Sequence, residues 1–144
     1  MKKITIFVVL ITFLNACKSK QLNVETQSEN LYEVLFKSQY LGSDIKFYEM
    51  VTEANEFKML LNMKPLKGKL KPEDIETSNF IILNLGMKST GGYEIGVASV
   101  EEYPDQVVVT VKEESPKMGE NVTMAISYPM CIVKINSKKK IVIQ

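Results

Sequence analysis

The chain predicts a mainly β domain of the α+β kind. The expected form is an antiparallel β-sheet or sandwich of about seven short strands, with one helix after the second strand. Three observations carry this. Alternating or fully apolar runs of strand length recur from Tyr32 to the C-terminus. Clusters of turn-forming residues separate them. Helical spacing of apolar residues is clear only after Thr52.

Tyr32, Val34, Phe36, Ser38 and Tyr40 alternate with more polar neighbours and read as one face of a half-buried strand. Gly42-Ser43-Asp44 turns the chain, and Ile45 to Val51 returns as a second strand, so the pair reads as a hairpin. From Thr52 to Met63 the period changes. Thr52 can cap a helix through its hydroxyl, and Glu53 and Glu56 sit where the helix dipole favours anions. Phe57, Leu60 and Leu61 form an apolar stripe wide enough to dock on a sheet. Pro65 ends the helix, and residues 64–78 read as a long surface connection.

Phe80 to Leu85 is nearly continuous apolar sequence, the mark of a strand covered on both faces. Tyr93 to Val100 alternates Tyr93, Ile95 and Val97 against Glu94, Gly96 and Ala98. Gln106 to Glu113 places Val107, Val109 and Val111 on one face. Val122–Ser127 and Cys131–Ile135 read as further short strands, and Lys140–Ile143 as a possible edge.

The N-terminus is of another kind. Lys2 and Lys3 precede an apolar run from Ile4 to Leu14, followed by Asn15-Ala16-Cys17. This is the grammar of a bacterial lipoprotein export signal, with cleavage before a cysteine that takes acyl chains such as palmitate. At ~1.5 Å per residue the apolar run spans roughly 16 Å, about half a bilayer core, which argues against a transmembrane helix. The expected organisation is a signal peptide over 1–16, lipid attachment at Cys17, a polar tether over 17–30 and a β-rich domain over 31–144. The expected location is the bacterial cell envelope, held to a membrane by the N-terminal lipid.

Composition narrows the chemistry. The 144 residues contain no histidine, no tryptophan and no arginine, and the formal net charge is +1. Lacking histidine, the chain has no usual general base and no usual triad member. Lacking arginine, it has no bidentate fork for phosphate, and near-neutral charge gives no field to recruit nucleic acid. No cofactor and no metal site is expected. Lys138-Lys139-Lys140 reads as a solvated turn. Cys131 shares a face with Val133 and Ile135 and reads as a buried small hydrophobe. Glu101, Glu102 and Asp105 fall in a turn and lack the spaced oxygen ligands of a calcium loop. Tyr128-Pro129 leaves the peptide isomer open.

The most distinctive segment of the domain is Gly86-Met87-Lys88-Ser89-Thr90-Gly91-Gly92-Tyr93. Paired glycines allow a sharp turn with exposed amides, and Tyr93 offers a large ring with a polar tip. Two readings stand: a tight connection whose tyrosine enters the core, or a contact surface for a partner. A phosphate loop is disfavoured, because no Walker-type lysine and hydroxyl follow the glycines.

Leu85-Gly86, Thr90-Gly91-Gly92-Tyr93, the strand to Val100, the Val107–Glu113 strand, Pro116 and Tyr128-Pro129 before Cys131–Ile135 together resemble the C-terminal domain of the PrcB family. That family supplies a subunit of a bacterial surface protease complex. Here Ser89 stands where the family often has proline. The resemblance covers roughly 32–136. It implies a non-catalytic envelope protein that binds or stabilises a protein partner such as a secreted peptidase, with Ser89, Thr90, Gly91, Gly92 and Tyr93 as partner-binding residues. The same loop is similar to the threonine-glycine-tyrosine loop of chagasin-type peptidase inhibitors, which implies an immunoglobulin-like sandwich and an inhibitory role as the alternative.

Overall fold

A computed structural model describes residues 31–144. The expected signal peptide, Cys17 and the tether lie outside the described residues. Seven strands occur among those described: β1 (Tyr32–Ser38), β2 (Lys46–Val51), β3 (Asn79–Leu85), β4 (Glu94–Glu102), β5 (Gln106–Glu114), β6 (Met130–Ile135) and β7 (Lys140–Ile143). Helix α1 (Ala54–Asn62), a 3-10 turn (Lys64–Leu66) and the single-turn helix α2 (Asp74–Thr77) lie between β2 and β3.

The strands form two sheets, a four-stranded one in the order β1-β6-β3-β2 and a three-stranded one in the order β4-β5-β7. Every pair in the larger sheet is antiparallel. In the smaller sheet β4 is antiparallel to β5, while β7 joins β5 in parallel. The mainly β reading holds, with this one parallel pair.

β3 and β6 take the centre of the larger sheet because both of their faces are apolar, and the middle layer is where both faces can be buried. All of β3 is buried. Phe80 and Ile82 face the helical layer, whereas Ile81, Leu83 and Leu85 face the smaller sheet. On β6, Met130 and Ile132 join the first core, while Cys131, Val133 and Ile135 join the second. The result is three layers: helices, four strands, three strands.

The expected β1–β2 hairpin does not form. β1 pairs with β6 and β2 with β3, which places the two strands at opposite edges. Both are half polar, and the doubly apolar strands displace them from the middle. The face expected for β1 also changes within the strand. A bulge between Val34 and Phe36 leaves Leu35 as the buried residue and Val34 47 % exposed. The extra residue of a bulge shifts the period by one, so strict alternation fails there.

Helix α1 buries Phe57 and Leu60, as the stripe requires, and the Phe57 ring stacks on Phe80 with centroids 4.5 Å apart. Burying such a ring contributes about 2 kcal/mol or more. The cap differs from expectation. Glu53 holds the N-cap position, and Thr52 contributes its amide, which donates to Glu56 Oε2 at 3.3 Å. Residues 64–78 are not merely a surface connection. Leu66, Leu70 and Ile75 close the helix-side core, and Lys134 Nζ on β6 donates to Asp74 Oδ1 at 3.0 Å. Partial burial acts to raise the Asp74 carboxyl, but the Lys71 amide and the Lys134 ammonium outweigh it and hold it below its usual value.

Val122–Ser127 is not a strand. The Thr123 carbonyl and the Ser127 amide and carbonyl bond to the β3–β4 loop, and only Ser127 makes a sheet-like bridge, to Lys88. A segment whose amides and carbonyls are satisfied by a loop has no ladder to join.

Candidate functional site

Antiparallel pairing gathers three loops at one end of the domain. Ser38 pairs with Met130, Lys46 with Leu85, and Glu94 with Glu114. The connections 39–45, 86–93 and 115–129 therefore leave the sheets side by side.

Backbone bonds tie them together. Gly42 N–H donates to the Tyr128 carbonyl at 2.9 Å, and Tyr128 N–H donates to the Gln39 carbonyl at 2.7 Å. Met87 N–H donates to the Asp44 carbonyl at 3.0 Å. Lys88 and Ser127 exchange both amide bonds, at 2.9 and 3.0 Å, and Gly91 N–H donates to the Thr123 carbonyl at 2.9 Å. Ser127, fully buried, donates its hydroxyl to the Thr90 carbonyl at 2.6 Å. The Tyr128-Pro129 peptide is trans, since the described residues hold no cis bond.

The glycines have distinct duties. Gly92 has φ of 83°, and a Cβ there would meet Pro116 Cγ and Val122 Cγ1 at 2.9 Å each. Gly91 has ordinary φ but no room: a Cβ would lie 2.3 Å from Thr123 Oγ1. Thus Gly91 permits close approach and Gly92 supplies the left-handed turn.

Tyr93 leaves the turn half-buried and packs on the core between the sheets. Lys88 Nζ stands 5.6 Å from the centre of its ring, within cation–π range. Tyr93 lines two shallow clefts. One, of about 290 Å³, includes Leu85, Lys88 and Glu113. The other, of about 190 Å³, includes Lys37, Gln39 and Pro129. Ion pairs link the two sheets beside it, Lys37 to Glu94 and Lys46 to Glu113. Glu113 also accepts the Tyr48 hydroxyl. The Lys46 ammonium and then this hydroxyl hold the Glu113 carboxyl below its usual value. Burial, then Glu113, raises the Tyr48 phenol.

The five residues singled out in the sequence are thus contiguous but unequal. Gly91 is buried, Thr90 and Tyr93 are half-buried, and Ser89 and Gly92 face solvent. Sequence reasoning joined the neighbouring turn at Lys117–Asn121 to this loop as a contact surface but did not single out the large apolar side chains that the three loops expose. Leu41, Ile45, Met87, Met124 and Ile126 are each more than half exposed, and Met118 is fully so. The available signal was Met118 between Lys117 and Gly119 in a polar loop; at Met124 and Ile126 the strand reading of 122–127 obscured it.

Residues 79–136 match the PrcB C-terminal family. The PrcB-like span runs from β3 to β6 and contains both sides of the clamp, the 86–93 loop and the 115–129 loop. No curated protein and no solved structure matches the chain. The sheet order is not that of the immunoglobulin sandwich implied by the inhibitor resemblance. In that sandwich the four-stranded sheet takes the first, second, fifth and fourth strands; here it takes the first, sixth, third and second.

Other residues fall where their chemistry suggests. Cys131 is fully buried between the sheets, and burial pushes its thiol up to about 11. Glu101 and Glu102 are exposed beside the β4–β5 turn, where Tyr103 donates its hydroxyl to Glu101 at 2.9 Å. A group of three or more possible metal-binding side chains does not occur among the described residues.

Proposed function

We propose that this chain is a non-catalytic interaction module of the bacterial cell envelope, held to a membrane by lipid on Cys17. Its loop end binds and steadies a protein partner, a secreted or surface peptidase. The observation that carries the reading is the clamped loop cluster. Three loops fixed to one another by backbone bonds carry the Ser89–Tyr93 segment, and the same loops expose Leu41, Met87, Met118, Met124 and Ile126. Soluble monomers rarely expose clustered large apolar side chains without a contact to make, and a fixed backbone lowers the ordering cost of binding. Methionine adapts its shape to a partner at small cost. The PrcB match supports the peptidase as partner, and the chain's lack of histidine supports binding over chemistry.

The test is recovery of the full chain with its bound proteins from membranes of its own cells. The wild type is expected to retain a peptidase. Met87→Ser with Ile126→Ser, and separately Tyr93→Ala, are expected to release it while remaining folded by circular dichroism. Retention of the same peptidase by all variants would refute the loop end as the contact. Recovery of no peptidase from wild type would refute the partner class. A fall in the peptidase's turnover on adding the chain would favour an inhibitor over a stabilising subunit.

A further inference from the structure

The opposite end of the domain carries a different surface. There β2 ends, β3 and β7 begin, and residues 136–139 cross from the larger sheet to the smaller. A cleft of about 320 Å³ opens between these elements, lined by Thr52, Asn79, Lys138, Lys139 and Lys140 among others. Two features of it are uncompensated. Lys138 Nζ donates to the Thr52 carbonyl at 2.9 Å, a contact that carries no net negative charge. Among the described residues neither Lys138 nor Lys140 forms an ion pair, whereas Lys139 is held by Glu102 at 3.1 Å. The second feature is Asn79, which is 3 % exposed. Its Nδ2 donates to the Lys139 carbonyl at 3.1 Å, while its Oδ1 is buried without a partner among the described residues. An unsatisfied buried acceptor is destabilising, so the site gains from a group that brings a hydrogen to it.

We propose that this cleft binds a phosphate ester bearing a free hydroxyl, the chemistry of glycerol phosphate. The phosphate meets the Lys138 and Lys140 ammonium groups, and a hydroxyl of the ester donates to Asn79 Oδ1. An acid without a donor would leave the amide oxygen unsatisfied, and a neutral polyol would leave the lysines unpaired. Two sources offer this chemistry, a soluble ester and the headgroup of an anionic phospholipid. The chain enters the domain at this same end, where Asn136 N–H donates to the Leu31 carbonyl at 2.8 Å. The cleft therefore lies at the end of the domain where Leu31 enters, and the exposed apolar loops lie at the far end.

The experiment uses the full chain, isotope-labelled and kept in neutral detergent or bicelles. The readout is the side-chain amide resonance of Asn79 and the backbone amides of 138–141. Glycerol 1-phosphate is added as the soluble probe, with glycerol and sodium chloride as controls. Phosphatidylglycerol bicelles serve as the headgroup probe, with phosphatidylcholine bicelles as control. Saturable shifts at Asn79 and Lys138–Lys140 are expected with at least one phosphate probe and with no control. If glycerol 1-phosphate suffices, the ligand is soluble; if only phosphatidylglycerol acts, it is a headgroup. Lys138→Ala with Lys140→Ala, exposed substitutions that leave the core intact, is expected to weaken binding about tenfold. The proposal is overturned if neither phosphate probe shifts these resonances, or if the double substitution leaves the affinity unchanged.

Discussion

Gly91 and Thr123 approach so closely that no side chain fits between them. The Gly91 amide donates to the Thr123 carbonyl at 2.9 Å, and a Cβ on Gly91 would come within 2.3 Å of the Thr123 hydroxyl oxygen. That contact locks the β3–β4 loop against the segment before β6. Gly91→Ala should therefore cost about 1–2 kcal/mol of stability. Because the obstacle is one hydroxyl, Thr123→Ala in the same chain should recover most of the loss. A double-mutant cycle by urea denaturation measures this; simple additivity of the two changes would show that the contact does not limit the loop.

Gly92 should behave differently. Its φ of 83° is unfavourable for any residue with a Cβ, and Pro116 and Val122 crowd it as well. Gly92→Ala is expected to cost about 1–3 kcal/mol, and neither Thr123→Ala nor Val122→Ala should fully restore it. Complete recovery in the Val122→Ala background would show that crowding, and not the backbone, accounts for the loss.

Cys131 should be inert in the folded protein. It is fully buried, with a thiol raised to about 11, so the reactive thiolate is scarce at neutral pH. A thiol reagent is expected to label it only at the rate of unfolding, and labelling should become immediate in concentrated urea. Cys131→Ser places a hydroxyl between the sheets and should cost about 1–3 kcal/mol; Cys131→Ala should cost less. Rapid labelling of the native chain would contradict this placement.

Stability should fall on the acid side through Asp74 and Glu113. Their folded carboxyls lie below the ordinary range, so their contribution is complete above the unfolded carboxylate values near about 4. It disappears as pH falls through the lower folded values. Lys134→Met leaves Asp74 without its ammonium partner and should cost about 1–2 kcal/mol at pH 7. Asp74→Asn should flatten part of the acid limb in thermal melts recorded from pH 7 to pH 2. An unchanged limb in that variant would remove Asp74 as a contributor.

The core strands were legible in the sequence because hydrophobic period reports burial directly. β3 reads as doubly covered from Phe80 to Leu85 alone, and Val107 and Val109 declare the inward face of β5. The stripe of Phe57 and Leu60 marks α1 for the same reason. The glycine pair, too, announces a tight turn before Tyr93, because few other residues tolerate such backbone geometry. These are local properties, encoded within a few residues of where they act.

Partnership and neighbourhood were not legible, because they depend on residues far apart in the chain. Tyr32–Ser38 and Lys46–Val51 are strands by pattern, yet only competition for the buried middle of the sheet sends them to opposite edges. Val122–Ser127 has a strand-like pattern, but its backbone bonds are spent on Lys88 and Gly91, so it becomes a clamp. Likewise Asn79 and the lysines 138–140 are some sixty residues apart, and only the turn between the two sheets makes one cleft of them. The amino-acid order by itself determined which segments must be covered; three-dimensional packing decided what covers them, since hydrogen bonding and burial are satisfied across the whole fold at once.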